Sequence, residues 1–272
     1  MTTDVTGRPA QAMLRARKEE PVMDDSLSAG AVCGPDDCDV TETTAAPIQA
    51  DTPSVGTRID IVSDAICPWC YIGKRNLEAA LAQLADEGLR FEVHWNPFQL
   101  NPDMPKPGIE RAAYRAAKFG GPERAREIDA RVTGAAEAAG LDFHLDRIVR
   151  TPNTIDAHRL IWFAGRQGRQ DAVMEAVFQA YFIEGHDIGN AEVLADCAVA
   201  AGLDRATVLS FLGSGVADAE MRAADEAARE AGVNGVPSFF LDGYGLFSGA
   251  MPATQMAEAF RRGRQVLTQR AT

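Results

Sequence analysis

Five cysteines, at 33, 38, 67, 70 and 197, are the residues of this chain best suited to chemistry, and their spacing decides which chemistry. Cys67-Pro68-Trp69-Cys70 follows an extended apolar run, Ile59-Asp60-Ile61-Val62, and precedes a stretch with helical period from Ile72. The pair therefore sits at a strand-to-helix junction. The unpartnered N–H groups and the dipole of a helix start stabilise negative charge on the first sulfur, which makes Cys67 the expected nucleophile. Pro68 suits the opening turn because its missing N–H would have had no partner, and the i to i+3 spacing brings Cys70 to the same face. A disulfide closes easily there. Half of a zinc site, or two inert thiols, are the bland alternatives; a C-x-x-C in this context favours redox chemistry.

Cys33-Gly34-Pro35-Asp36-Asp37-Cys38 is a second pair, with a turn-forming interior that can bring the two sulfurs together. Asp36, Asp37 and Asp39 disfavour thiolates and so favour the disulfide relative to one at a helix N-terminus. The pair is either a second redox centre passing electrons to the first or two unpaired thiols in a solvated tail. The 28 residues separating Cys38 from Cys67 span up to about 90 Å when extended, so reach is no obstacle. Cys197, in an apolar helix-periodic stretch, reads as a small buried hydrophobe.

The 272 residues are 46% hydrophobic and 24% charged, the balance of a globular protein with a sizeable core. A net charge of −12 opposes nonspecific binding to nucleic acid or anionic membrane, and no basic cluster offers an exception. No apolar stretch has the length of a membrane span or of a signal-peptide core. The chain reads as cytoplasmic, where paired cysteines serve redox or metal chemistry rather than a structural framework.

Residues 1–56 lack sustained periodicity and carry nine Asp/Glu against four Lys/Arg up to residue 50, so they are expected to form an acidic, disordered tail. Residues 58–63 read as a buried strand. Residues 74–87 read as an amphipathic helix with Leu77, Ala80, Leu81 and Leu84 on one stripe, and residues 89–95 alternate as a strand. From 109 to 231 nearly everything has helical period, giving six or seven helices, with Asn153, Asn190 and Asp204 placed as N-caps. Strand patterns return at 236–241 and 245–248, and a last helix starts at Pro252. The order predicts an α/β domain, 57–106 with 230–272, interrupted by a helical insertion, 107–229.

Ser63-Asp64-Ala65-Ile66-Cys67-Pro68-Trp69-Cys70-Tyr71-Ile72-Gly73-Lys74 resembles the active-site segment of DsbA-like thioredoxin-fold proteins of FrnE type. The resemblance continues at Asn153-Thr154-Ile155-Asp156-Ala157-His158-Arg159-Leu160, at Tyr181-Phe182-Ile183-Glu184-Gly185 and at Gly232-Val233-Asn234-Gly235-Val236-Pro237-Ser238-Phe239. It implies a thioredoxin fold with a helical insertion and disulfide oxidoreductase or isomerase activity. It further implies a cis Val236-Pro237 bond facing the cysteines, with the Val236 backbone open to a substrate peptide. Trp69 is expected to be a partly exposed apolar platform, and Asn153 and His158 are candidate lining residues of the substrate groove.

The expected chemistry is thiol–disulfide exchange: Cys67 attacks a substrate disulfide and Cys70 resolves the mixed disulfide. No cofactor or metal is called for. The implied partners are protein or small-molecule disulfides and dithiols, with a thiol reductant to regenerate the enzyme. Two rivals stand beside it. 2-Hydroxychromene-2-carboxylate isomerases and kappa-class glutathione transferases resemble the same inserted fold, but carry serine where Cys67 stands. A zinc-binding or chaperone-like module would use Cys33, Cys38, Cys67 and Cys70 as four thiolates.

Overall fold

A computed structural model describes residues 57–271. The expectations of a disordered tail and of a Cys33–Cys38 pair lie outside these residues.

The apolar run after Thr57 forms strand β1 (Thr57–Ser63), and it is central because it is apolar on both faces. Ile59 and Ile61 are fully buried on one face, while Val62 packs on the other with Phe98, Ala228 and Val233. Helix α1 (Pro68–Asp86) follows, then β2 (Phe91–Pro97), parallel to β1 and paired from Thr57 with Phe91 to Ser63 with Pro97. On its other side β1 pairs antiparallel with β5 (Ser238–Leu241), which pairs antiparallel with β6 (Tyr244–Ser248), giving the order β2-β1-β5-β6. A final helix (Ala253–Ala271) packs with α1 on one face of the sheet, through Leu77, Leu84, Met256 and Phe260 against Ile59, Ile61, Phe239 and Leu241. This is the thioredoxin arrangement, and all that lies between β2 and β5 is insertion.

The insertion is helical apart from a two-residue ladder, β3 (Ile109–Glu110) with β4 (Arg150–Thr151), too short to leave a periodic signal. Its helices are α2 (Arg111–Phe119), α3 (Pro122–Ala138), α4 (Ile155–Gly165), α5 (Gln170–Phe182), α6 (Ala191–Ala200), α7 (Arg205–Gly213) and α8 (Asp218–Glu230). In chain order the Ala253–Ala271 helix is α9. Asn190 and Asp204 cap α6 and α7, accepting from Glu192 N and Thr207 N. Asn153 stands one place before the N-cap of α4, Thr154, yet its Oδ1 still accepts from Ile155 N at 3.0 Å. Gly185 turns the chain after α5 at φ +78°, where a Cβ would meet Arg147 Cβ at 2.5 Å, so only glycine fits.

Three contacts weld the insertion to the domain. Tyr71, next to Cys70, stacks on Phe178 of α5 at 4.9 Å and on Phe143 at 5.8 Å. Gln170 covers the edge of β2 like an extra strand residue, accepting from Trp95 N at 2.9 Å and donating to Trp95 O at 3.1 Å. Lys74, with only 2% of its side chain exposed, lies among Glu78, Asp171 and Glu175.

Candidate active site

The end of β1 and the start of α1 place both sulfurs. Cys67 is the N-cap of α1 in extended conformation, φ −88° and ψ 113°, with Pro68 in the first turn. Its N–H donates to Asp64 O at 3.0 Å, and its carbonyl accepts from Cys70 N at 3.0 Å, closing the turn that brings the thiols together. Both are free thiols. Cys67 keeps 4% exposure and Cys70 none, so Cys67 is the more accessible sulfur. Burial pushes the Cys70 thiol well above its ordinary pKa; proximity to Cys67 adds to the shift, and hydrogen bonding with Ser63 and the Asp64 backbone opposes it.

The opposite wall is the segment leading into β5. The Val236-Pro237 bond is cis, and the Cys67 thiol donates to Val236 O at 3.5 Å. Close approach of this wall requires Gly73 in α1, where a Cβ would stand 3.0 Å from Pro237 Cγ and 3.7 Å from Ala250 Cβ. Asn76 Nδ2 donates to Met251 O at 2.9 Å and Gly249 N to Pro237 O at 2.8 Å, fixing the wall to helix and sheet. The sequence-predicted Cys67, Cys70, Val236 and Pro237 therefore converge. Trp69, between the cysteines, is 41% exposed, an apolar surface between the two thiols in sequence.

Asn153 and His158, expected to line the groove, are both buried. Asn153 Nδ2 donates to Met104 O and its Oδ1 is taken up by Ile155 N and Gln99. His158, 4% exposed, hydrogen-bonds Phe98 O through Nε2 at 3.1 Å and lies 3.4 Å from Asp64 Oδ1. They brace the loop after β2 beneath the site. Cys197 lies apart on α6, its thiol donating to Ala176 O and pushed up to about 12 by burial. Among the described residues no group of three or more His, Cys, Asp or Glu is placed to hold a metal ion.

Sequence reasoning passed over Ser63 and Asp64, both fully within the protein. Asp64 Oδ2 accepts from Leu100 N at 2.7 Å, tying the loop after β2 to the cysteine turn. The available signal was a polar pair at the end of an apolar strand immediately before the cysteines.

Residues 58–261 match the model of the DSBA-like thioredoxin domain. The chain belongs to the DSBA-like thioredoxin domain family. A probable DsbA oxidoreductase from Streptomyces coelicolor has a similar structure, with 34% sequence identity, a TM-score of 0.68 and coverage of 76% of this chain and 89% of that one. The curated relative YwbO of Bacillus subtilis, itself uncharacterised, is 29% identical over 184 residues, 67% of this chain and 86% of its own. A 2-hydroxychromene-2-carboxylate isomerase shares the DSBA-like fold at 20% identity and a TM-score of 0.56, over 79% of this chain and 98% of that one. No helix among the described residues of this DSBA-like protein is long and apolar enough to cross a membrane.

Proposed function

We propose that this DSBA-like protein is a thiol–disulfide oxidoreductase or isomerase of FrnE type acting through a Cys67 mixed disulfide that Cys70 resolves. The observation that carries the reading is the unequal pair itself. Cys67 is the N-cap of α1 and faces the Val236 carbonyl, while Cys70 lies fully buried one turn behind with its thiol held protonated. Attack by the first sulfur on a substrate disulfide expels one substrate thiolate, and attack by the second on Cys67 expels the other. The substrate leaves as a dithiol and the enzyme as a Cys67–Cys70 disulfide, which an external thiol reductant restores; run backwards, the same steps oxidise a dithiol substrate.

Trp69 and the Val236 backbone are the proposed contacts for a peptide disulfide, the first by apolar surface and the second by main-chain pairing. A glutathione-activating isomerase has no use for a second thiol sealed behind the first, which favours the dithiol reading. The outer pair, Cys33 and Cys38, is proposed as the internal dithiol that resets the site, with the cytoplasm as the compartment.

Redox titration against glutathione or dithiothreitol buffers, followed by alkylation and mass spectrometry of the cysteines, tests the reading. A two-electron transition assigned to Cys67 with Cys70 is expected, distinct from any assigned to Cys33 with Cys38. Titration that leaves both residues alkylated under oxidising buffers would remove its basis.

A further inference from the structure

A groove of about 490 Å³ lies at the end of α1 remote from the cysteines, lined by Glu87, Leu89, Arg261, Arg264, Gln265 and Thr268. Its two guanidinium groups are not equivalent. Arg261 is spent on Glu87, to which Nε donates at 2.9 Å and Nη2 at 2.5 Å. Arg264 is half-buried, and its Nη1 is shielded from water without a hydrogen-bond partner. A charged donor left unpaired away from water is costly, so this one calls for an acceptor seated in the groove. The surrounding sequence favours an anion as well, because residues 261–271 hold four arginines and no acid in a chain of net charge −12.

The groove also lies where the described chain begins. Thr57 pairs with Phe91, two residues beyond Leu89, so Asp51-Thr52-Pro53-Ser54-Val55-Gly56 joins the folded body beside the groove wall. Six residues reach up to about 20 Å when extended, which brings the Asp51 carboxylate within range of Arg264. Residues 21–56 contain seven Asp/Glu and no Lys/Arg, and Asp51 is the acid nearest to Thr57.

We propose that this groove is the docking site of the chain's own N-terminal segment, with the Asp51 carboxylate accepting from Arg264 and residues 52–56 lying along Leu89. Charge complementarity and the place where the segment joins the body both select this occupant. A carboxylate on a half-buried guanidinium forms a charge-assisted hydrogen bond that salt screens less than it screens an exposed pair. Docking fixes the inner end of the N-terminal segment at the far end of α1, whose 19 residues put about 28 Å between that end and Cys67. The 13 residues from Asp51 back to Cys38 span up to about 43 Å when extended, so a docked segment still lets Cys33 and Cys38 reach Cys67. The docking itself does not depend on the oxidoreductase reading.

The test places the photo-crosslinking residue p-benzoylphenylalanine at position 52 of the full-length chain. A mixture of nitrogen-15-labelled and unlabelled protein, kept reduced so that no disulfide contributes, is irradiated, digested and read by mass spectrometry. Crosslinks within one chain to residues 87–89 and 261–269 are expected. Arg264→Glu should lower their yield about fivefold or more, with circular dichroism checking that the variant is folded. Asp51→Asn, which leaves the folded body untouched, should lower it by a similar factor, and exchanging the charges with Asp51→Arg in the Arg264→Glu protein should restore most of it. An undiminished yield in Arg264→Glu or Asp51→Asn, no recovery in the exchanged pair, or crosslinks confined to other parts of the chain would overturn the proposal. Crosslinks that join a labelled to an unlabelled chain would put a second copy in the groove and overturn it too.

Discussion

Replacing Lys74 by methionine removes one ammonium and keeps the shape of the side chain, so it isolates the charge that joins α1 to α5. Lys74 Nζ lies 3.2 Å from Asp171 and 3.1 Å from Glu175 and also pairs with Glu78. Stranding a buried ion by removing its partner costs about 3–5 kcal/mol. Here the cost is smaller, because Glu78 and Asp171 are 43% and 58% exposed and rehydrate, while Glu175, 21% exposed, keeps Arg75 and Tyr71. A loss of about 2–3 kcal/mol follows, a fall in Tm of about 4–12 °C for a body of this size. Acid sharpens the test. Burial raises the Glu175 pKa, but the charge of Lys74 and hydrogen bonds from Tyr71 and Arg75 outweigh it and hold the group below its ordinary 4.5. A depressed carboxyl contributes stability above its unfolded pKa and loses it as pH falls through the folded one. The parent should therefore lose stability from pH 5 downward more steeply than Lys74→Met. Thermal unfolding followed by circular dichroism across acidic pH reads both quantities. A variant that melts within about 1 °C of the parent with the same acid slope would refute the reasoning.

Trp69→Ala should raise KM for a peptide disulfide several-fold with little change in Tm, because the ring is 41% exposed and contributes contact rather than core; a lowered Tm with unchanged KM would contradict the platform role. Deleting residues 1–50, and Cys33 and Cys38 with them, should lower turnover when external reductant is limiting and leave it unchanged when reductant is in excess. Equal turnover in both regimes, with no crosslink from Cys33 or Cys38 to Cys67 in a Cys70→Ser background, would leave that pair without a redox role.

The strands and the first helix were legible because their burial follows from local pattern. Ile59 and Ile61 sit on the α1 face of the sheet, as a two-residue period requires, and Leu77, Ala80 and Leu84 form the buried stripe of α1. Helical period from Ile72 alone would have started α1 a turn late; Pro68 after an N-cap cysteine put the start where it is observed. What local pattern could not show was set by partners far along the chain. Lys74 reads as a surface lysine until Asp171 and Glu175, about a hundred residues on, are folded against it. His158 reads as a polar helix residue suited to a groove, yet Phe98 and Asp64 close over it. The position of the cysteine turn was legible because it is set by a strand, a turn and a helix contiguous in sequence.

The direct test of the account is a trap. Cys70→Ser protein, incubated with a peptide disulfide or with an oxidised cellular extract and quenched with acid, should accumulate a mixed disulfide that digestion and mass spectrometry place on Cys67, and Cys67→Ser should accumulate none. A mixed disulfide formed through Cys70 in the Cys67→Ser protein, with none on Cys67 in the Cys70→Ser protein, would contradict the assignment of attacking and resolving sulfurs.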